Sequence, residues 1–393
     1  MTRLAQAARP QTTDWTVWAE GMSQRLAERA QQAESDRRLP QATIDEAQAA
    51  GFFEMLTPPA LGGEGAPFRT FLETVRQLGR GCASSAWTLS FLSLHTWLFA
   101  KFGAEAQAEL FKDGAPLAPA PLAPTGRAVP VDGGYRITGR WEWATGVNHS
   151  NWAMVSCLQE ASPIPLFCVL PLAQVTVVDV WHVAGMAATG SQTITCDDVF
   201  VPTHMALSAL ELRSGPCPGA LLHPGSTVNY PFSATLALVA ATPALGAAEG
   251  ALAAFTERMK TKMQAYAGTK QADQPLTHFR LGEGRAAVLA ARAIWDRAID
   301  LLEREGPAGD GVSLETLLEL RLSSASIVRH ANEAANLLAA AAGASSGFLS
   351  APLQRHLRDL QMMRGHVVFD WDRAAQVVGR IALGGQPGPA DLL

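Results

Sequence analysis

The chain has 393 residues, 48% of them hydrophobic and 17% charged, with a formal net charge of −5 and a pI near 6.0. That length suits two or three domains or one large core, and the acidic balance offers no basic footprint for nucleic acid. Five scattered cysteines (Cys82, Cys157, Cys168, Cys196 and Cys217) form no C-x-x-C pair, which argues against a disulfide frame or a zinc site.

The opening MTRLAQAARPQTTDW lacks an apolar signal core, so reduced thiols and a cytoplasmic location are expected. Residues 14–33 and 40–50 read as amphipathic helices, with Asp14 as a cap and Pro40 at the start of the second. GFFEMLTPPALGGEG (51–65) is a turn-rich connection. Helical patterns follow over 67–80, 82–102 and 104–112. The second holds His95 among Trp87, Phe91 and Phe99 at helical spacings, a stripe that usually marks core.

The character changes at Gly114. To about Pro202 there are short runs rich in Val, Ile, Thr and Trp, broken by Gly, Pro and Asp, which predict a β domain. Asp132-Gly133-Gly134 is a hairpin signal. From Phe232 onward the pattern is helical again, over 232–263, 276–304, 313–342 and 351–382, which favours a four-helix bundle. The apolar run 235–255 is interrupted by Pro243 and Glu249 and suits a buried helix better than a membrane span. The expected organisation is an α-helical domain over 1–113, a β domain over 114–230 and a helical bundle over 231–393, an α+β fold with no internal repeat.

The stretch from Pro352 to Gly384 reads as one long helix. On it His366 and Asp370 are four apart, as are Arg355 and Asp359, so each pair is expected to share a face. His366 is then either a core histidine beside surface ion pairs or an imidazole presented to a pocket with a carboxylate one turn away. No P-loop, G-x-G-x-x-G, H-E-x-x-H or G-x-S-x-G is present, so nucleotide hydrolysis, Rossmann binding, zinc proteolysis and α/β-hydrolase chemistry lose support.

Four stretches in this order carry a resemblance. They are SSAWTLSFLSLHTWLFAKFG (84–103), GGYRITGRWEWATGVNHSNWAMV (133–155), WHVAGMAATGSQTITCDDVFVP (181–202) and the Arg358-Asp359 to His366 to Trp371-Asp372 segment. Together they resemble the acyl-CoA dehydrogenase fold. Within it they look most like the oxygenase components of two-component flavin-dependent monooxygenases, such as those acting on 4-hydroxyphenylacetate, steroid-derived phenols, indoles and dibenzothiophene. The resemblance spans about residues 15–385.

It implies reduced flavin, FMNH2 or FADH2, supplied by a separate NAD(P)H-dependent reductase. It also implies O2 as co-substrate, a C4a-hydroperoxyflavin, an aromatic or electron-rich small-molecule substrate and a homotetramer. Trp143, Thr145 and Gly146 match the position where the family approaches flavin N5, and Thr189, Gly190 and Ser191 look like a flavin-side loop. His366 falls where the family places a histidine beside the flavin, His95 where related hydroxylases have a substrate-side histidine, and Asp370 is the expected partner of His366. Asp359 is expected to pair with Arg355 or Arg358. No metal site is expected.

Two departures narrow the reading. The dehydrogenases' R-x-x-F-G, whose arginine clamps the FAD pyrophosphate, is replaced by YAGTKQADQP, which argues against tightly held FAD. The 118–122 region, where some phenol hydroxylases carry a serine, is Ala-Pro-Ala-Pro-Leu, which disfavours a simple para-substituted phenol, and the shortage of charged candidates around the cavity suits a bulky apolar substrate. The alternatives are an acyl-CoA dehydrogenase-like enzyme, with Glu249 or Glu333 as its carboxylate, and a non-catalytic scaffold.

Overall fold

The computed structural model describes residues 13–160, 162–214, 216–264, 268–388, 391 and 393. The chain opens with α1 (Trp15–Asp36), α2 (Gln41–Ala50), α3 (Phe68–Gly81), α4 (Ala83–Phe99) and α5 (Ala104–Leu110). Asp14 caps α1 as expected, its carboxylate accepting from the N–H groups of Thr16 and Val17 at 3.1 and 3.2 Å. All seventeen residues of α4 are buried. A helix buried on every side belongs in the middle of a protein, and α4 runs through the centre of this one.

The sheet comprises β1 (Gly126–Val131), β2 (Gly134–Ala144), β3 (Trp152–Gln159), β4 (Ser162–Pro171), β5 (Thr176–Val178), β6 (Gln192–Pro202) and β7 (Ala206–Ser208). Their order is β5-β6-β2-β1-β3-β4-β7. Neighbours are antiparallel except β1 and β3. The Asp132-Gly133 turn closes the β1–β2 hairpin, with Val131 opposite Gly134 and Gly133 at a φ of 75°. The β2–β6 register slips between Trp141 and Ala144. A bulge of this kind bends its strand, and just past it Gly146 lies against Leu92 of α4.

Two short helices, α6 (Ala209–Ser214) and α7 (Pro218–Leu222), lead to α8 (Phe232–Thr261), α9 (Pro275–Glu305) and α10 (Leu314–Ala342). Ser313 caps α10 through the Thr316 N–H at 3.2 Å. α8 is long and apolar enough to cross a membrane, yet 83% of its apolar window is buried inside the protein. Pro243 is tolerated in mid-helix beside Thr242, whose hydroxyl bonds the Leu238 carbonyl at 2.8 Å and accepts from Trp295 Nε1 at 2.9 Å. The five cysteines are free and buried.

One expectation is corrected. Residues 352–382 are two helices, α11 (Pro352–Arg364) and α12 (Trp371–Ala382), separated by a turn at Val367–Phe369. Gly365 and the β-branched pair Val367-Val368 weaken helical continuity, and two side chains stabilise the break. His366 Nδ1 accepts from the Val368 N–H at 3.3 Å, and Asp370 caps α12 through the Arg373 N–H at 3.1 Å. The carbonyls freed by the break are taken by buried Arg321 of α10, which donates to those of Val367 and Val368. Helical i,i+4 spacing therefore does not govern His366 and Asp370.

α3 and α8 cross at a pair of glycines. A Cβ on Gly246 would strike the Arg76 carbonyl and stand 2.8 Å from Gly79 Cα. Gly246→Ala is therefore expected to push α3 off the bundle and cost about 1–3 kcal/mol, the range for overpacked cores. The urea midpoint of the variant measures it, and an unshifted midpoint would show that the crossing has room.

Candidate functional site

α4 brings three distant segments together. Near its start, Ser84 donates to Asp359 Oδ2 of α11 at 3.1 Å. One turn on, the Trp87 ring stacks on Phe91 at 4.5 Å and meets the edges of His366 at 5.6 Å and Phe369 at 6.3 Å. Phe91 in turn lies edge-on to His95 at 5.6 Å. The result is an aromatic ladder along one helix with an imidazole at each end. Two more of the helix's polar side chains are paired, Thr88 within the helix on the Ser84 carbonyl at 3.0 Å and Thr96 with the distant Pro116 carbonyl at 3.1 Å.

The two imidazoles are opposite in polarity. His95 is 3% exposed, and its Nδ1 lies 2.7 Å from the Ala118 carbonyl oxygen. A carbonyl only accepts, so Nδ1 carries the hydrogen and Nε2 keeps a lone pair. His366 Nδ1 accepts from a backbone N–H, so the hydrogen of its neutral ring is on Nε2. Burial pushes both down to about 4, with the positive charge of Arg321 adding to the effect at His366. Both rings are neutral near pH 7, one an acceptor and the other a donor.

The second segment is the bulged end of β2. Trp143 has a left-handed backbone, φ 68°, uncommon for a bulky residue and characteristic of constrained sites. Its ring is 57% exposed and stands edge-on to Trp181 at 5.3 Å. Thr145 follows, with its hydroxyl 2.8 Å from that of Ser191. Ser191 is also 2.8 Å from the Thr189 hydroxyl, which bonds the Met186 carbonyl at 2.9 Å. The Gly146 N–H donates to the Thr189 carbonyl at 3.2 Å. Gly146 needs its φ of 76°, and a Cβ there would sit 3.0 Å from Leu92 of α4. Gly190 is equally confined, a Cβ meeting Asn148 at 2.6 Å and the Arg37 carbonyl at 2.8 Å. Both glycines pack the loops onto their neighbours.

The third segment is α11 with the turn after it. Asp359 is corrected from an ion-pair partner of Arg355 or Arg358 to a buried anchor. At 3% exposure it accepts from the Met186 N–H at 2.5 Å as well as from Ser84. Burial pushes its carboxyl up to about 6 against those hydrogen bonds. Arg358 instead pairs with Glu34 and donates to the Ala184 carbonyl at 2.6 Å. Asp370 does not hold His366; it caps α12 and pairs with Arg373 at 3.2 Å. On the far side of this turn a cleft of about 1200 Å³ opens against α10, lined by Arg329, Asn332, Arg364, Phe369 and Trp371 among others.

The structure thus brings Thr145, Thr189 and Ser191 into one cluster, and His95 and His366 onto one ladder. Trp143 stands at the rim of the bulge, and Asp370 lies outside the ladder. Ser84, Met186 and Phe369 were not singled out by the sequence, and Asp359 was singled out for a different role. The Ser84–Asp359 contact spans 275 positions, and no local spacing signals it. The carboxylates that a dehydrogenase-like reading needs are engaged, Glu249 with Arg76 at 2.5 Å and Arg292 at 3.7 Å, and Glu333 with His330 at 3.3 Å.

Residues 17–112 match the acyl-CoA dehydrogenase N-terminal domain family and residues 238–371 the acyl-CoA dehydrogenase C-terminal domain family. The chain is 33% identical over 383 residues to the FADH(2)-dependent resorcinol hydroxylase oxygenase component of Rhizobium sp. (strain MTP-10005), covering 93% of each chain. The solved structure of 3-HSA hydroxylase from Rhodococcus sp. RHA1 superposes with a TM-score of 0.91 at 28% identity, over 97% of this chain and 99% of that one. XiaF from Streptomyces sp., solved with FADH2 and glycerol, gives 0.87 at 28% identity over 95% and 96%.

The buried acids and bases set a pH dependence. His95 and His356 are both buried with pKa values pushed from 6.5 down to about 4. As pH falls from 6.5 to 4 the unfolded chain takes up protons that the folded chain refuses, so stability drops, by about 3 kcal/mol per histidine. Asp359 has the opposite sign. Its folded value of about 6 lies above the ordinary 3.8, so between them the folded state holds the extra proton and this contribution grows as pH falls. Asp359→Asn removes that counterweight and is expected to steepen the acid loss between pH 6 and 4. Denaturation midpoints across that range test it, and an unchanged slope contradicts the assignment.

Proposed function

The chain belongs to the acyl-CoA dehydrogenase family as an oxygenase component of the two-component flavin-dependent monooxygenases, and from that premise we propose that the α4 ladder divides the work of aromatic hydroxylation between two neutral imidazoles. Such a component uses reduced flavin and O2, depends on a separate flavin reductase and acts on an aromatic substrate. The observation that carries the division of labour is the opposite polarity of His95 and His366.

The residues present fit a flavin. The Trp143 ring is held out by a strained backbone, and a hydroxyl cluster lies directly behind it at Thr145. Trp143 and Thr145 would hold the flavin ring by its N5 edge, with the loop at 189–191 supporting them. When bound, reduced flavin supplies the electrons that split O2, one atom going to the substrate and the other to water.

His95 accepts the phenolic O–H of the substrate at Nε2 and thereby orients the ring. Its own orientation is fixed by the Ala118 carbonyl. His366, with its hydrogen on Nε2, would stabilise negative charge at the reacting oxygen as a donor that does not need to be protonated. The stacked, buried Trp87 and Phe91 rings stand between the two imidazoles and would keep water from that side of the site. The apolar wall at Ala118 and Pro119 fits a bulky aromatic substrate. Exposed apolar residues on α9, Leu276, Phe279 and Leu289, support assembly with further copies of the chain as a tetramer.

The test is turnover with a flavin reductase, NADH, O2 and either a phenol or its methyl ether, run with FAD and FMN in turn. Hydroxylation of the phenol and not of the ether is expected. His95→Ala is expected to raise KM for the phenol at least tenfold, the scale of a buried hydrogen bond lost to substrate. His366→Ala is expected to divert O2 to hydrogen peroxide with KM little changed. Equal turnover of phenol and ether removes His95 from substrate recognition.

A further inference from the structure

The hydroxyl cluster at Thr145 has a direction. Three contacts lie in a row: Thr145 to Ser191 at 2.8 Å, Ser191 to Thr189 at 2.8 Å, and Thr189 to the Met186 carbonyl at 2.9 Å. Three hydroxyl hydrogens are available for them. The chain ends on a carbonyl oxygen, which can only accept. Thr189 must therefore donate to Met186, Ser191 to Thr189, and Thr145 to Ser191. Any other assignment leaves two oxygens facing each other within 3 Å with no hydrogen between them. All three side chains are buried, at 8%, 4% and 3% exposure for Thr145, Ser191 and Thr189, so water is a poor substitute partner. The Met186 carbonyl is itself fixed, accepting from Trp181 Nε1 at 3.2 Å, while its own N–H is held by Asp359 at 2.5 Å.

We propose that this one-way chain makes the Thr145 hydroxyl an obligate hydrogen-bond acceptor, and that Ser191 and Thr189 are positioning residues through which the site discriminates reduced from oxidised flavin. The inference rests on the placement of the flavin N5 edge against Thr145 given above. N5 of reduced flavin carries a hydrogen and donates it; N5 of oxidised flavin has only a lone pair. An oxygen whose hydrogen is already committed to Ser191 attracts the first and repels the second. A ligand pair is separated only by differential interaction with the site, and here the difference is one hydrogen at one atom. For a component that must take flavin from a reductase in its reduced form and release it oxidised, that polarity favours loading and release in the right order.

The experiment measures dissociation constants of the full-length protein for oxidised FAD and, anaerobically, for FADH2, with FMN and FMNH2 in parallel. The readout is the ratio of the oxidised to the reduced value. The wild type is expected to prefer reduced flavin. Ser191→Ala and Thr189→Val cut the chain at different links, each freeing the Thr145 hydroxyl to donate. Each is expected to lower the ratio about tenfold, the equivalent of one net hydrogen bond, chiefly through tighter binding of oxidised flavin. Thr189→Ser keeps the hydroxyl and is expected to restore the wild-type ratio, which a purely structural role for Thr189 does not require.

Either cut variant suffices if the other fails to fold. A wild-type ratio in a folded cut variant overturns the proposal, as does a wild type with no preference. Thr145→Val separates this from the underlying reading. If it weakens reduced-flavin binding while the cut variants leave the ratio alone, Thr145 meets the flavin but the chain does not discriminate. If it changes neither affinity, the flavin is not against Thr145 and both readings fall.

Discussion

The structure depends on one buried helix and on what its polar groups require. α4 is enclosed on all sides, yet Ser84, Thr88, Ser90, Ser93, His95 and Thr96 lie along it. A buried polar group that lacks a partner costs more than the bond it could make is worth. Some of these groups turn back onto their own helix, but Ser84, Ser93, His95 and Thr96 reach out to Asp359, Phe52, Ala118 and Pro116. Those outward bonds fix where the opening helices, the wall before the sheet and α11 meet. The candidate site is the place where these obligations converge, so folding the core and assembling the site are largely one event.

The break between α11 and α12 follows a similar logic. A continuous helix would satisfy its own carbonyls but would carry the His366 ring around with the helical phase. Ending α11 at Arg364 releases carbonyls that need donors, and Arg321, buried on α10, supplies them. A cationic guanidinium held in the interior is costly, and burial indeed pushes its pKa down. Here it stabilises a turn that places His366 against Trp87 and Phe369. The same charge helps to keep His366 neutral.

Most of the architecture was legible because it is periodic. The amphipathic repeats of α1 to α3, the Asp132-Gly133 hairpin and the long bundle helices each carry a local pattern that tertiary contacts reinforce. The residues of the site were legible in part, through the Trp143–Gly146 and Thr189–Ser191 segments and the two histidines. The break at Gly365 was not, because a single glycine inside a strong helical pattern is usually tolerated, and the donor that stabilises the alternative is 47 positions away at Arg321. Asp359 was misread for a related reason. An arginine four residues off on a helix suggests a surface pair, whereas the Met186 N–H that claims the carboxylate is 173 positions distant. Local spacing reports what a helix can do alone and is silent about what the rest of the fold demands of it.

Asp359 also ties the bundle to the loop that leads into β6. Its carboxylate lies in the interior without an ion pair among the described residues, a position where an apolar side chain such as leucine carries no desolvation penalty. A leucine would leave the Met186 N–H and the Ser84 hydroxyl without an acceptor. Gly185, next to Met186, packs directly on the start of this contact, where a Cβ would come within 2.2 Å of the Arg358 carbonyl oxygen. From that anchor the bonds continue without a gap. The Met186 N–H is held by α11, the Met186 carbonyl holds Thr189, Thr189 holds Ser191, and Ser191 holds Thr145 at the bulge of β2. A helix of the bundle is thereby joined to one hydroxyl at the end of β2 through buried backbone and side-chain bonds, and the Met186 carbonyl sets the direction of the three hydroxyl bonds. The cost of burying Asp359 is the cost of holding that hydroxyl in a single orientation.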